Sequence, residues 1–268
     1  MSIEVALREE QTEATGARQN FPAIRVASVG KHFTRAGTRA LTVLDDVSFS
    51  VALGSITAIL GPSGCGKSTL LNIIAGLVAA DRGSVLIDGQ PLQTFVDWGR
   101  VGYLFQDDRL LPWRTAIENI ALGLEAERIP RTERRDRARQ ALLSVGLAGF
   151  ERMYPGELSG GMRSRVALAR SLVKEPRILL LDEPFSKLDP ALRSQMHLEL
   201  LGIQAARKMS VVFVTHDIEE AVTLADRVVI LQPNPGRVRT EIEIGLARPR
   251  LHGNPAMTAQ MQALRQLI

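Results

Sequence analysis

Apolar residues along this chain fall in short runs separated by polar and glycine-containing stretches, and their spacing predicts the elements. Residues 23–28, 47–51, 55–60, 83–88 and 101–105 read as strands. Residues 67–77 read as a helix entered directly from a glycine-rich loop. From about 107 to 172 the pattern is mostly helical: 132–145 carries apolar positions at helical spacing, and 162–173 starts after a serine and two glycines. Strands return at 178–181, 211–215 and 228–231, with helices at 190–207 and 218–225 between them. Residues 237–244 read as a last strand and the tail after Arg248 as a short helix. Strands alternating with helices argue an α/β fold with a largely parallel sheet. The helical block implies a smaller inserted subdomain. The expected organisation is a flexible extension over 1–22, a main domain over 23–248 with its helical subdomain at about 107–172, and a short tail over 249–268.

Composition adds limits. With 45% hydrophobic residues the chain can build a sizeable core, and with 4% aromatics that core must be mainly aliphatic. No apolar run approaches the roughly 18–20 residues that span a bilayer, and residues 1–20 hold no stretch resembling a signal peptide. The expectation is a cytosolic chain unless a partner holds it elsewhere. Its one cysteine, Cys65, leaves no internal disulfide and no Cys-rich metal site. A net charge of +4 allows nucleic acid or an anionic membrane as partner. The densest basic stretch, Arg131, Arg134, Arg135, Arg137 and Arg139, is interleaved with Glu133 and Asp136. It reads as a solvated helix face, with docking beside lipid headgroups as the alternative.

Two stretches carry chemistry. Gly61-Pro62-Ser63-Gly64-Cys65-Gly66-Lys67-Ser68 fits G-x-x-x-x-G-K-[ST] and lies between an apolar run and a helix. Glycines let the backbone curl so that successive N–H groups face one anion, and the helix N-terminus adds partial positive charge. Lys67 reaches the outer phosphates, and the Ser68 hydroxyl suits Mg²⁺. The same helix end favours a thiolate at Cys65, although a small loop residue with no catalytic part is the simpler reading. Farther on, Arg177-Ile178-Leu179-Leu180-Leu181-Asp182-Glu183 is an apolar strand ending in two acids. Such a strand delivers its C-terminal end to the ligand crevice of an α/β sheet. Asp182 can hold Mg²⁺ there, and Glu183 can polarise the attacking water as a general base. A capping pair before Pro184 is the plain alternative.

Leu158-Ser159-Gly160-Gly161-Met162 follows the phosphate loop by roughly ninety residues and opens a helix. Alone it is an N-cap with a flexible approach. In this order and context it resembles the signature of the ABC ATPase family. Gln106 after strand 101–105 resembles the Q-loop glutamine, Ser186-Lys187-Leu188-Asp189 the D-loop, and His216 the switch histidine. Phe33 stands where that family has an aromatic that stacks on adenine. The resemblance covers about residues 23–245. Met162 replaces the commoner glutamine, Lys187 stands where alanine is usual, and Ser164 where glutamine is frequent.

The resemblance implies a P-loop NTPase with a mixed β core, an antiparallel β part and the inserted helical subdomain, using ATP and Mg²⁺. It implies that Gly61 through Thr69, with Phe33, hold the nucleotide. Ser68, Gln106 and Asp182 would serve the metal, and Glu183, His216 and Gln106 hydrolysis. It also implies a head-to-tail homodimer in which the signature loop, Ser159, Gly160 and Gly161, caps the partner's nucleotide, with Asp189 of the D-loop counted among the nucleotide-binding residues. Plain alternatives are a core histidine at 216, a surface amide at 106, a core Phe33 and a mere helix cap at Asp189.

Gln106-Asp107-Asp108-Arg109-Leu110-Leu111-Pro112-Trp113, then Thr115, Glu118 and Asn119, resembles importers of nitrate, sulfonates and taurine. So do Tyr154-Pro155-Gly156-Glu157, Pro235-Gly236-Arg237 and Arg248-Pro249-Arg250. The implied partners are transmembrane permease subunits and an extracytoplasmic substrate-binding protein, with the chain peripheral on the cytoplasmic membrane face and no nucleic acid bound. Leu110, Leu111 and Trp113 are candidates to face a permease helix, burial in the helical subdomain being the alternative. Family members that act on DNA or ribosomes usually carry coiled-coil insertions, zinc cysteines or tandem ATPase domains. Here the loop-to-signature spacing is short, there is one cysteine, and each motif occurs once. An inactive binding module is disfavoured by the presence of Lys67, Glu183 and His216.

Overall fold

The computed structural model describes residues 21–34, 40–250 and 253–268, so the expected N-terminal extension lies outside the described residues except for Phe21 and Pro22. The strands are β1 (Ile24–Phe33), β2 (Leu41–Val51), β3 (Ile56–Leu60), β4 (Arg82–Ile87), β5 (Gln90–Pro91), β6 (Val101–Leu104), β7 (Ile178–Asp182), β8 (Ser210–Thr215), β9 (Arg227–Gln232) and β10 (Arg237–Glu243). The α-helices are α1 (Lys67–Ile74), α2 (Ala116–Ala121), α3 (Arg131–Ser144), α4 (Gly160–Leu172), α5 (Pro190–Arg207), α6 (Ile218–Leu224) and α7 (Pro255–Arg265).

One sheet runs β10-β9-β3-β8-β7-β6, parallel throughout except for β10, which returns antiparallel on β9. Its central strands read as continuous apolar runs because both faces are buried. Successive residues enter different cores. Leu60, Leu181 and Phe213 pack among the helices of the 107–172 region, whereas Ile59, Leu180 and Val214 pack against α1 and the second sheet. That second sheet, β2-β1-β4-β5, is antiparallel.

The antiparallel sheet departs most from the sequence pattern. β1 continues to Phe33 instead of ending at Ser28, because register shifts at Ser28 (φ +49°) and beyond break the strict alternation. Gly83 answers that bulge: a Cβ there would sit 2.3 Å from the Ser28 carbonyl oxygen. β2 starts at Leu41 and β5 was not expected, since two-residue strands leave no periodic trace. The C-terminal helix α7 packs on the core through Met257 and Leu264, and Arg250, 7% exposed, donates to the carbonyls of Val222, Ala225, Ile244 and Leu246.

Parallel register places the site. Leu60 pairs with Thr215, Val214 with Asp182, and Leu181 with Leu104. The C-terminal ends of β3, β8, β7 and β6 therefore lie side by side, and the residues just past them share one edge of the sheet.

Candidate functional site

From β3 the chain enters the glycine loop and turns into α1, with Gly66 at φ +98° as its N-cap. A Cβ at Gly66 would lie 2.6 Å from Leu44 Cδ2, so close packing and backbone conformation both demand glycine. Lys67, only 4% exposed, donates from Nζ to the carbonyls of Gly61 at 2.8 Å and Pro62 at 2.9 Å. The lysine is thus seated inside the loop it opens from. A cleft of about 340 Å³ is lined by Ser63, Gly64, Gly66, Lys67, Ser68 and Thr69 from the loop, by Gln106 and Glu183 from neighbouring strand ends, and by Val43. Val43 was not singled out in the sequence; a valine on an ordinary strand carries no chemical signal.

Cys65 does not line this cleft. Its side chain is 1% exposed and packs in the core with Leu44 and Leu70, and burial pushes the thiol pKa up. The thiolate expected from the helix end is corrected on this point: desolvation outweighs the favourable Lys67 charge and the two backbone hydrogen bonds. Iodoacetamide should accordingly label Cys65 more than about tenfold more slowly in the native protein than in urea, since reaction requires local opening. Equal rates, followed by mass spectrometry, would count against this burial.

β7 delivers Asp182, 7% exposed, whose Oδ1 accepts from Ser68 Oγ at 2.8 Å. Burial raises the Asp182 pKa, the Ser68 hydrogen bond opposes that, and the Glu183 charge adds to it. Hard oxygen donors meeting at this point fit Mg²⁺. Among the described residues no cluster of three or more His, Cys, Asp or Glu could cage a metal.

Glu183 follows in the left-handed region, φ +45°, its N–H bonded to the Val214 carbonyl. A non-glycine residue held there is the kind of local strain found at functional sites. Each carboxylate oxygen faces a different neighbour. Gln106 Nε2 donates to Oε2 at 3.2 Å, and His216 Nδ1 lies 3.5 Å from Oε1. His216 is 54% exposed, so the core-histidine alternative fails. Gln106 is exposed too, yet its amide is engaged.

The structure does not bring every expected residue to this cleft. Ser159 caps α4, accepting from the Met162 N–H at 3.2 Å, and Asp189 caps α5, accepting from Leu192 N–H at 3.0 Å. Neither they nor Gly160 and Gly161 line the cleft. A Cβ on Gly161 would meet Leu192 Cδ2 at 2.2 Å, whereas Gly160 faces open space but for Arg163. Phe33 is 45% exposed at the end of β1, with Lys31 Nζ 5.3 Å from its ring, so it is not core.

Beyond Gln106 the loop is tied to α4. Arg170 donates to the carbonyls of Asp108 and Arg109, and Arg163 reaches the Asp108 carboxylate and the Leu158 carbonyl. Asn119 is fully buried. Its Oδ1 accepts from Leu111 N–H, and its Nδ2 donates to the carbonyls of Leu111, Arg114 and Thr115. This staple points Trp113 outward, 71% exposed, which overturns its burial alternative. Leu110 is corrected in the opposite sense: it belongs to the core and cannot face a partner. Trp113 and Arg114 border a cleft of about 840 Å³ with Arg131, Arg134, Arg135 and Arg152. The basic stretch therefore divides. Arg137 and Arg139 pair with Glu133 and Asp136 on the helix surface, while Arg131, Arg134 and Arg135 turn to the cleft.

Comparison with known proteins agrees with this geometry. A family model described as ABC transporter matches residues 44–186, just over half of the chain. The chain is 47% identical over 225 residues to an aliphatic sulfonates import ATP-binding protein, SsuB 2, of Burkholderia cenocepacia (strain HI2424), covering 83% of this chain and 80% of the relative. It is 46% identical over 216 residues to the taurine import ATP-binding protein TauB of Burkholderia pseudomallei (strain 1710b), covering 81% and 82%. The ATP-binding cassette MJ0796, solved as a dimer in a post-hydrolysis state with ADP and Pi, superposes with a TM-score of 0.75 at 32% identity, over 84% of this chain and all of that one. With the phosphate loop, the Asp182–Glu183 strand end and the Ser159 cap arranged as above, the chain belongs to the ABC transporter family, as one of its ATP-binding, ATP-hydrolysing subunits.

Proposed function

We propose that this chain powers uptake of an aliphatic sulfonate or taurine, with Glu183 as the general base of its ATP hydrolysis. The observation that carries the role of Glu183 is its carboxylate held between Gln106 and His216 beside Lys67 and Ser68. Loop N–H groups and Lys67 bind the phosphates. Ser68 and Asp182, with Gln106, would hold Mg²⁺, which when bound would supply charge neutralisation on the phosphate oxygens. Glu183 takes the proton of the attacking water, and His216 and Gln106 orient that water and the γ-phosphate. Phe33, exposed at its strand end, stacks on the adenine. Ser159, Gly160 and Gly161, remote from the chain's own cleft, cap the nucleotide held by a second copy, and Asp189 lies beside them. A site split in this way closes only as a homodimer, and hydrolysis opens it because ATP and ADP bind the closed state differently.

Among the described residues no helix is long and apolar enough to cross a membrane. The solute path belongs to permease subunits, fed by a substrate-binding protein on the outer side, with this chain on the cytoplasmic face. The sulfonate and taurine import names of the relatives support the solute class. The permease docks at the exposed Trp113 beside the arginine-lined cleft.

The test is growth of a deletion strain on an alkanesulfonate or taurine as sole sulfur source. Growth should be lost there and kept on sulfate, and unchanged growth on both sulfonates would refute the solute class. Restoring the gene as Trp113→Ala should fail to rescue, since an aromatic at the centre of a contact is worth about 2 kcal/mol or more. The isolated variant should still bind ATP and melt as the wild type does, because Trp113 is outside the core.

A further inference from the structure

The segment after Glu183 touches three parts of the molecule at once. Ser186 is folded against Glu183, its N–H and hydroxyl both directed at the Glu183 carbonyl. Lys187 Nζ reaches the Asp107 carboxylate at 2.5 Å, and Asp107 is the residue next to Gln106. Arg193, one turn into α5, donates from Nη1 to Asp217 at 3.1 Å and from Nη2 to the Leu188 carbonyl at 3.2 Å. Asp217 is the residue next to His216, and it also caps α6 by accepting from Glu219 and Glu220 N–H. The two side chains that face the two oxygens of Glu183 are thus each followed by an aspartate, and each aspartate is paired with a cation of the same short segment. The third contact is with the signature turn, where the place of a Gly161 Cβ lies against Leu192 and within 3.8 Å of Leu188.

We infer that Lys187 and Arg193 are positioning residues that link a subunit's signature turn to its own hydrolytic group, Lys187 through Asp107 to Gln106 and Arg193 through Asp217 to His216. The inference rests on the proposed roles of Glu183, Gln106, His216 and the signature turn. When the turn at Ser159–Gly161 seats on the nucleotide of a second copy, it presses on Leu188 and Leu192. The segment between them then carries that displacement through two charged ties to both sides of Glu183. The contact of the turn with Leu188 and Leu192 is packed closely enough to pass on small shifts, because such packing does not deform continuously. Lys187 adds the Gln106 arm through its contact with Asp107.

The experiment is a double-mutant cycle on steady-state Mg·ATP hydrolysis by the full chain. Lys187→Ala and Asp107→Ala should each lower kcat about three- to tenfold with KM for ATP unchanged, and the double variant should be no worse than either single. The exchanged pair Lys187→Asp with Asp107→Lys should recover most of the loss. Arg193→Lys, which keeps charge but loses the two-pronged donor, should also lower kcat at constant KM. The Lys187–Asp107 pair is exposed, so melting temperatures of its variants should stay within about 2 °C of the wild type. Single variants with undiminished kcat, additive losses, or losses not relieved by the exchange would overturn the inference. Glu183→Gln run alongside separates the two levels. If it retains full activity, the reading of the site fails; if it is inactive while the cycle is additive, only the ties fail.

Discussion

Glu183→Gln should bind Mg·ATP normally, hydrolyse it about 10²–10⁴-fold more slowly, and accumulate as an ATP-bound dimer. The structure explains why the fold should tolerate the change. The amide oxygen can keep the hydrogen bond from Gln106 Nε2, and the amide nitrogen can face His216 Nδ1 as Oε1 now does. What is lost is proton acceptance. Without hydrolysis the γ-phosphate should, in the proposed dimer, continue to join the phosphate loop of one copy to the Ser159 turn of the other. Size-exclusion chromatography with light scattering, with and without Mg·ATP, measures the outcome. Wild-type turnover by the variant would remove Glu183 from the base's role. Replacing Ser159 by a bulky residue in the same background should return the protein to monomer, because in the proposed dimer that turn caps the other copy's nucleotide. A dimer that survived this change would contradict the composite site.

Lys67→Ala should abolish hydrolysis, and the defect should lie in nucleotide binding. Lys67 is the cation of the loop cleft and is held in place by the Gly61 and Pro62 carbonyls. Its removal takes away a fixed positive charge from the place proposed for the outer phosphates and leaves two loop carbonyls without their donor. Loss of one pre-organised donor to a developing oxyanion typically costs about 10²–10³-fold in kcat, and here the bound phosphates should lose their cation as well. Titration with a fluorescent ATP analogue should show the weakened binding. Unchanged hydrolysis at saturating Mg·ATP would rule the role out. The contrast with Glu183→Gln is diagnostic: one variant fails to bind, the other binds and cannot let go.

The chemistry was legible along the chain because it is carried by local patterns. The phosphate loop needs its glycines and lysine within eight consecutive positions, and the acid pair needs an apolar strand directly before it. The central strands were legible for a related reason, since burial on both faces leaves uninterrupted apolar runs. The antiparallel sheet was read less well, as the bulge at Ser28 breaks the period on which such reading depends. Three-dimensional packing settled the rest. Cys65 sits inside the most recognisable motif, yet its neighbours turn it into the core and raise its pKa. Leu110 and Trp113 lie three residues apart in one apolar cluster and face opposite ways, because a buried Asn119 eight residues beyond Leu111 staples the loop between them. Arg131 and Arg137 look alike in the sequence, and only the position of their helix separates a cleft lining from a surface ion pair. Long-range contacts of this kind depend on which elements meet, and no local spacing records that.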